Sequence, residues 1–276
     1  MGEKIEVELS GKLLDEIDSL IDGAKILNRQ QAIESILERS ISCERVKKAV
    51  ILAGGKGTRM RPFTYEIPKP LIPVGGRPLV QHTIDLLMEN NIREVIFSIG
   101  YLGEKIREYY GNGSKFGIKI SYVEEKQALG TAGPLNLMKD QLNCSFLMFN
   151  GDILTNIDLL DFIRFHHRHG GIATIALKTV PEPSRYGTVK MNGARITKFI
   201  EKPEEKTNQS LINAGIYVME PEIIDYIPEG KTMMEHDVFP KLAAEEKLYG
   251  YPFEGQWFDT GTHESYEKAI KKWRSR

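Results

Sequence analysis

An apolar run, Ala49-Val50-Ile51-Leu52-Ala53, empties directly into Gly54-Gly55-Lys56-Gly57-Thr58-Arg59-Met60-Arg61-Pro62, with Pro68-Lys69-Pro70 close behind. Val50 to Ala53 reads as a buried strand, because it is continuously apolar and bounded by glycine. The glycine-rich loop after it constrains the chain more than any other stretch. Gly54, Gly55 and Gly57 carry no Cβ, so their backbone can come very close to a ligand. Bare N–H groups in such a loop bind phosphate oxygens. Arg59, Arg61 and Lys69 then supply cations where a polyphosphate would lie. The loop is not a Walker A loop, which needs Gly-Lys-Ser/Thr opening a helix directly. Here Thr58-Arg59 follows the last glycine and Pro62 interrupts.

From Lys47 onward, apolar strands alternate with amphipathic helices. The pattern predicts strands over Glu94–Ile99, Lys119–Val123, Phe146–Phe149, Ala173–Thr179 and Leu248–Pro252. It predicts helices over Leu79–Asn90, Thr131–Leu137, Asp158–His169 and Pro221–Tyr226. This βαβ rhythm implies an α/β domain over 45–276, with a mostly parallel, Rossmann-like mixed sheet covered by helices on both faces. Ligands of such sheets sit at the carboxyl ends of the strands. The glycine loop and Gly151-Asp152 both follow strands, so both point to one crevice. A chain of 276 residues can hold one such domain plus a small module.

Residues 1–44 read differently. Ile5, Val7 and Leu9 alternate with Lys4, Glu6 and Glu8, as in one short strand. Ser10 caps a helix carrying Leu13, Leu14, Ile17, Leu20 and Ile21, and Asn28 caps a second with Ile33, Ile36 and Leu37 inward. Strand, helix, helix resembles a ribbon-helix-helix module, which in its family exists only as a dimer of two chains. That resemblance also implies DNA binding, but the charges oppose it. The segment holds five cations and ten carboxylates, and DNA affinity rests on cations that neutralise phosphates. A homodimerisation clamp is the better reading. The whole chain carries a formal charge of −1, giving no global pull toward nucleic acid or anionic membrane. No apolar run approaches the ~20 residues of a membrane span. Cys43 and Cys144 show no metal spacing, and Met1-Gly2-Glu3-Lys4 opens no signal peptide. Two reduced cysteines in a cytoplasmic protein are expected.

The loop at Leu52–Pro62 resembles the signature of sugar-nucleotide pyrophosphorylases, the nucleotidyltransferases acting on sugar 1-phosphates. The resemblance recurs down the chain in the family's order, over residues 46–276. It is carried by Leu129-Gly130-Thr131-Ala132-Gly133, Asn150-Gly151-Asp152, Phe199-Ile200-Glu201-Lys202-Pro203, Asn213-Ala214-Gly215-Ile216-Tyr217 and Trp257-Phe258-Asp259-Thr260-Gly261-Thr262. It implies transfer of a nucleoside monophosphate from a nucleoside triphosphate to a sugar 1-phosphate, releasing pyrophosphate. A sugar-phosphate oxygen attacks the α-phosphorus in line. That oxygen is already ionised at neutral pH, so charge neutralisation and alignment carry the reaction, with no general base.

By the same resemblance Asp152 and Asp259 would hold Mg²⁺, a hard cation suited to carboxylate and phosphate oxygens. Arg59 would stabilise the departing pyrophosphate, and Lys69 would touch the phosphates. Leu52, Ala53, Gly54, Gly55, Gly57, Thr58 and Gly130 would bind the nucleotide. Lys202 would bind the sugar phosphate, with Glu201, Asn213 and Gly187 contacting the sugar. The histidines His166, His167 and His169 read as a helix end, His82 as a core residue, Trp257 as packing and Lys268–Arg276 as a solvated tail.

The base is read from one position. In uridylyl- and thymidylyltransferases a glutamine stands about five residues before the glycine matching Gly130; here that position is Glu125. An ionised carboxylate only accepts hydrogen bonds, and guanine offers two adjacent donors. This favours GTP, as does the likeness of Ser184–Gly187 and Val238–Leu242 to mannose-1-phosphate guanylyltransferases and related heptose enzymes. A slip of one residue would give Glu124 the role instead. Gln127 could also read the base, which keeps a UTP- or dTTP-dependent glucose-1-phosphate enzyme open. A sugar-nucleotide-sensing DNA-binding regulator is the reading of another class, and a catalytically inactive regulatory subunit a further one. Retention of Arg59, Lys69, Asp152, Lys202 and Asp259 together opposes the last.

Overall fold

A computed structural model describes residues 6–21, 27–33, 46–203 and 210–274. The chain divides into two compact units, Met1–Arg45 and Val46–Arg276. In the first, Ser10 caps the helix Gly11–Asp18 by accepting from the Leu13 N–H. Asn28 Oδ1 accepts from the Gln31 N–H at 3.0 Å, starting a second helical stretch. Arg29 grips the Asp18 carboxylate with two bonds of 2.6 Å. Both caps stand where the sequence puts them. Residues 6–10 enter no ladder with other described residues, and the strand expected over Ile5–Leu9 is one that pairs only with a second chain. Ile5, Ile36, Leu37 and Cys43 lie outside the described residues.

The second unit holds strands β1 (Lys48–Ala53), β2 (Pro73–Val74), β3 (Arg77–Pro78), β4 (Glu94–Ile99), β5 (Lys119–Glu124), β6 (Phe146–Asn150), β7 (Ile153–Thr155), β8 (Ala173–Val180), β9 (Gly187–Asn192), β10 (Arg195–Glu201), β11 (Ser210–Met219), β12 (Leu248–Pro252) and β13 (Trp257–Asp259). Nine of them form one sheet in the order β5-β4-β1-β6-β11-β8-β12-β10-β9. The first four are parallel. Beyond β6 the pairings are antiparallel except β8 with β12. The expectation of a mostly parallel sheet therefore holds for the amino-terminal half only. The fold is α/β with a mixed sheet, because β11 runs against both β6 and β8, and β9 and β10 return as a hairpin.

Strand β1 shows why helices cover both faces. Ala49, Ile51 and Ala53 point into one apolar cluster, and Val50 points into the other. Strands alternate sides, so a continuously apolar run is buried on both. The first cluster packs on helices Leu79–Glu89 and Leu159–His169. The latter is capped by Asp158, which accepts from the Asp161 N–H, and ends at Gly170. The predicted helix at Thr131–Leu137 shrinks to Gly133–Asn136, and Pro221–Tyr226 is a 3₁₀ turn.

The carboxyl tail is a second correction. Thr262 opens a helix, His263–Lys272, through a capping box with Ser265. Tyr266 and Ala269 are buried in it. Trp273 then packs edge-on against His82 and Phe258. An i, i+3 pair of apolar residues among five charges hides this helix in the sequence. No helix among the described residues is long and apolar enough to cross a membrane.

Candidate active site

The parallel strands β5, β4, β1 and β6 end on one edge, and a cleft of about 400 Å³ opens there. Its walls carry Leu52 and Ala53 from the end of β1 and Gly54, Gly55, Gly57, Thr58 and Arg59 from the loop after it. Lys69, Glu125, Gly130 and Asp152 join them. Residues separated by a hundred positions thus meet because parallel strands deliver their following loops to the same side. Met233, Thr131, Asn150 and Gly261 also line the cleft, and of these Met233 belongs to no sequence motif.

The loop is tight for a reason visible at Gly54. An added Cβ would collide with the Glu125 carboxylate and lie 3.4 Å from the Gly100 nitrogen. The bare Gly54 backbone thus leaves room for the Glu125 carboxylate, which a side chain at 54 would displace. The opposite wall has the same logic. Gly130 adopts φ +84°, and a Cβ there would meet the Thr232 carbonyl and, at 2.8 Å, Met233 Sδ. The Ala132 N–H donates to the Thr232 carbonyl at 2.9 Å, and the Thr232 N–H to that of Leu129 at 2.9 Å. Loop 129–133 is thereby zipped to 232–234.

Glu125 is held firmly. Ser98 Oγ donates to its Oε1 at 2.8 Å and the Leu129 N–H to its Oε2 at 3.0 Å. A carboxylate has about four acceptor sites, so each oxygen keeps room for one more donor. Glu124 instead faces Arg107 at 3.9 Å, outside the lining, and Gln127 is exposed outside it too. Of the three base-reading candidates, Glu125 is the one set in the cleft wall.

At the other end of the cleft four charged groups converge. Lys69 is buried, and its ammonium is bonded to Asp152 Oδ2. A point just off Gly261 lies 2.7 Å from Asp259 Oδ1, 3.1 Å from Arg59 Nη2 and 3.4 Å from Lys69 Nζ. The Gly261 N–H donates to Asp259 Oδ1 at 2.7 Å. Asp152 and Asp259 are brought together by the β7–β13 pair, in which Asp259 sits opposite Ile153. Thr260 reinforces this, donating from its N–H and its hydroxyl to the Asp152 carbonyl at 3.0 and 2.9 Å. Burial would raise the Asp152 carboxyl, but the Lys69 charge and hydrogen bond, aided by Arg59, outweigh it and hold it below its ordinary value. Asp259 goes the other way: burial and the neighbouring Asp152 charge push it up, against the pull of Lys69 and Arg59.

A second cleft shares Arg59 and continues past Lys202, Ser184, Arg185, Thr262 and His263. Lys202 Nζ stands 3.3 Å from Glu201 Oε1. Its backbone sits at φ +44°, a left-handed conformation that a lysine adopts only under constraint. Arg185 falls in the Ser184–Gly187 stretch singled out by resemblance but without a role of its own there, and His263, a helix-start residue, carries no site signal in the sequence. Glu201 is mostly buried and lies across from Gly187, where a Cβ would come within 2.8 Å of its Oε2. Asn213 is engaged internally: its Oδ1 accepts from the Gly215 N–H and its Nδ2 donates to the Tyr217 hydroxyl, both at 2.9 Å.

Residues 48–276 match the nucleotidyl transferase family. The chain belongs to that family. Over 219 residues it is 41% identical to the mannose-1-phosphate guanylyltransferase catalytic subunit beta of Dictyostelium discoideum, covering 78% of this chain and 61% of that one. Over 221 residues it is 38% identical to the mannose-1-phosphate guanyltransferase of Saccharomyces cerevisiae, again with 78% and 61% covered. The chain thus spans about three fifths of the length of these relatives. Among solved structures it resembles HddC from Yersinia pseudotuberculosis complexed with GMP-PN. The TM-score is 0.71 and the identity 26%, over 83% of this chain and all of that one.

Nucleotidyltransferases of this family generally use a divalent metal. The donor set fits: Asp152 and Asp259, brought together by the β7–β13 pair, offer the hard carboxylate oxygens such a cation takes, and burial together with the Asp152 charge raises the Asp259 carboxyl. The other candidates resolve differently. Among the described residues, ligand atoms of His166, His167 and Glu220 lie within 4.8 Å of one another. His166, His167 and His169 do stand in the last turn of Leu159–His169, and His166 is in addition buried, bridging Thr174 Oγ1 at 2.8 Å and Glu220 Oε1 at 2.9 Å. His82 is a core histidine, its Nε2 3.0 Å from the Val74 carbonyl. Trp257 packs through an N–H donated to the Ala214 carbonyl at 2.9 Å.

Proposed function

We propose that this nucleotidyltransferase is a guanylyltransferase that joins GTP and mannose 1-phosphate into GDP-mannose and pyrophosphate. The observation that carries the base assignment is Glu125, a fixed acceptor-only group in the wall of the nucleotide cleft. The guanylyltransferase names of the relatives support it, as does the GMP-PN complex of HddC.

The triphosphate lies along Gly54–Thr58, with Lys69 and Arg59 against its anionic oxygens. Mannose 1-phosphate enters from the side of Lys202, and Glu201 accepts from its hydroxyls, with Gly187 and Asn213 shaping that pocket. Arg59 borders both clefts, so one guanidinium faces both anions and offsets their repulsion. Mg²⁺ held by Asp152 and Asp259 would neutralise the α-phosphate and the incoming phosphate. Lys69 keeps Asp152 ionised and aimed, and no side chain has to remove a proton. The test is pyrophosphate release from GTP that depends on mannose 1-phosphate.

Residues 1–44 serve as a homodimerisation module rather than a DNA reader. Val7 is 70% exposed and Leu13 and Leu20 more than 40% exposed within one chain, which a second copy would cover. Light scattering of the full chain is expected to give twice the 31.3 kDa mass; a single-chain mass at micromolar concentration would contradict it.

A further inference from the structure

The edge of the sheet opposite the cleft gathers a second set of metal-ligating side chains. Asn150, at the end of β6, lines the cleft, so Phe146, at its start, marks the far edge. Strand β8 begins there at Ala173 and β11 ends there at Met219, because Met219 pairs with both Phe146 and Ala173. The helix Leu159–His169 packs on β8 and β11 and carries His166 and His167 in its last turn. Glu220 follows β11 directly, and its N–H donates to the Ile172 carbonyl at 2.9 Å. One ligand atom from each of His166, His167 and Glu220 lies within 4.8 Å of the other two. Nucleotidyl transfer uses none of the three.

Each of the two best-defined ligands has a backing group. The His166 ring is buried, with Nδ1 2.8 Å from Thr174 Oγ1 and Nε2 2.9 Å from Glu220 Oε1. Ser145 Oγ donates to the Glu220 carboxylate, 2.8 Å from Oε1 and 2.9 Å from Oε2. Metal-binding imidazoles are held this way, by a partner on the far nitrogen, and ligating carboxylates are hydrogen-bonded in turn. The ring can also change tautomer to suit an ion. A carboxylate only accepts, so in the metal-free neutral ring Nε2 carries the proton and Nδ1 accepts from the Thr174 hydroxyl. With an ion on Nε2 the proton sits on Nδ1 and is donated to Thr174 Oγ1. A hydroxyl serves in both roles, and the ring keeps one proton throughout. The Glu220 side chain is 29% exposed, which gives an ion a way in from solvent.

We propose that His166, His167 and Glu220 form a Zn²⁺ site, with water in the fourth position, that clamps the end of the helix Leu159–His169 to the sheet edge remote from the cleft. Two imidazoles and a carboxylate suit Zn²⁺, whereas the all-oxygen pair Asp152 and Asp259 suits Mg²⁺. Tetrahedral bonds of about 2.0–2.2 Å set ligand atoms roughly 3.3 Å apart. The His166–Glu220 pair, at 2.9 Å, opens slightly to admit the ion. The His167 nitrogen closes from at most 4.8 Å, a movement within reach of a half-buried side chain. An ion held only by the folded chain stabilises it by mass action.

The test uses the full chain, stripped of metal with a chelator and kept in excess Mg²⁺. Calorimetric titration with Zn²⁺ is expected to show about one equivalent bound per chain. Free Zn²⁺ at about 100 times its Kd raises the melting temperature by about 5 °C or more. Thr174→Val removes only the backing hydroxyl and weakens Zn²⁺ binding about 10- to 100-fold. His167→Gln and Glu220→Gln each remove a ligand, leave His166 on Thr174, and weaken binding further. Asp152→Asn, in the cleft, keeps the wild-type affinity. Melting curves without metal check that each variant folds. Should the ligand variants melt early, Co²⁺ bound to the wild type carries the test through the visible absorption of a tetrahedral nitrogen and oxygen site. A wild type that takes up no Zn²⁺, or a Co²⁺ complex without those bands, overturns the proposal. So does wild-type affinity in His167→Gln and Glu220→Gln, or loss of binding in Asp152→Asn, since either places the ion elsewhere.

Discussion

Asp152→Asn lowers kcat about 10³-fold, with KM for GTP changed only a few-fold. The carboxylate is the meeting point of the site: it bonds to buried Lys69, lies within range of Arg59 and Asp259, and stands at the turn after β6. An amide of the same shape keeps the packing but removes the negative charge. Lys69 then loses its counter-ion, and the oxygen pair with Asp259 becomes a poor holder of a hard cation. The charge that both reacting anions must meet is therefore misplaced in the transition state more than in the ground state, which is why kcat falls further than binding. Single-turnover pyrophosphate release, with a melting curve of the same sample, checks this. A kcat within tenfold of wild type would remove Asp152 from the chemistry.

Glu125→Gln has the second large effect, a loss of base discrimination. The variant can hold its place: the amide oxygen accepts from the Leu129 N–H, and the amide NH₂ donates to Ser98 Oγ, replacing the present pair of bonds. It can no longer accept two hydrogen bonds from adjacent guanine donors. A good bidentate base contact discriminates by about 1–3 kcal/mol. The preference for GTP over UTP, measured as the ratio of kcat/KM values, should fall about 10- to 100-fold, by loss on GTP and gain on UTP. An unaltered ratio would mean that another group reads the base.

The catalytic half of the molecule was largely legible in its sequence, because its logic is local. A buried strand emptying into glycines, and Gly-Asp at the end of another, each announce a loop at a strand's carboxyl end, and parallel strands bring such loops together without further information. The strand limits at Glu94–Ile99 and Leu248–Pro252 were readable from apolar runs alone. Strand direction was not. β11 is as apolar as β6, and nothing within it states that it runs antiparallel. The β9–β10 hairpin carries an Asn192-Gly193 turn signal, but its strands alternate with exposed residues and fall outside an α/β rhythm. The Glu125 position could be read by chemistry, whereas its hydrogen bonds to Ser98 and Leu129 could not. Thr131, Met233 and Glu235 illustrate the limit most clearly: their contacts span about a hundred residues, and no periodicity or spacing encodes them. The amino-terminal helix caps were plain because a cap is a contact within three residues. The strand expected before them pairs, in the dimer reading, with a second copy, and a pairing between chains is not a local contact.

The most direct measurement is pyrophosphate release by the full chain with Mg²⁺ and mannose 1-phosphate, taking GTP, UTP, dTTP, CTP and ATP in turn. Release with GTP is expected at a kcat/KM at least tenfold above that of any other nucleotide. Preference for UTP or dTTP, or release that does not depend on the sugar phosphate, would contradict the guanylyltransferase assignment.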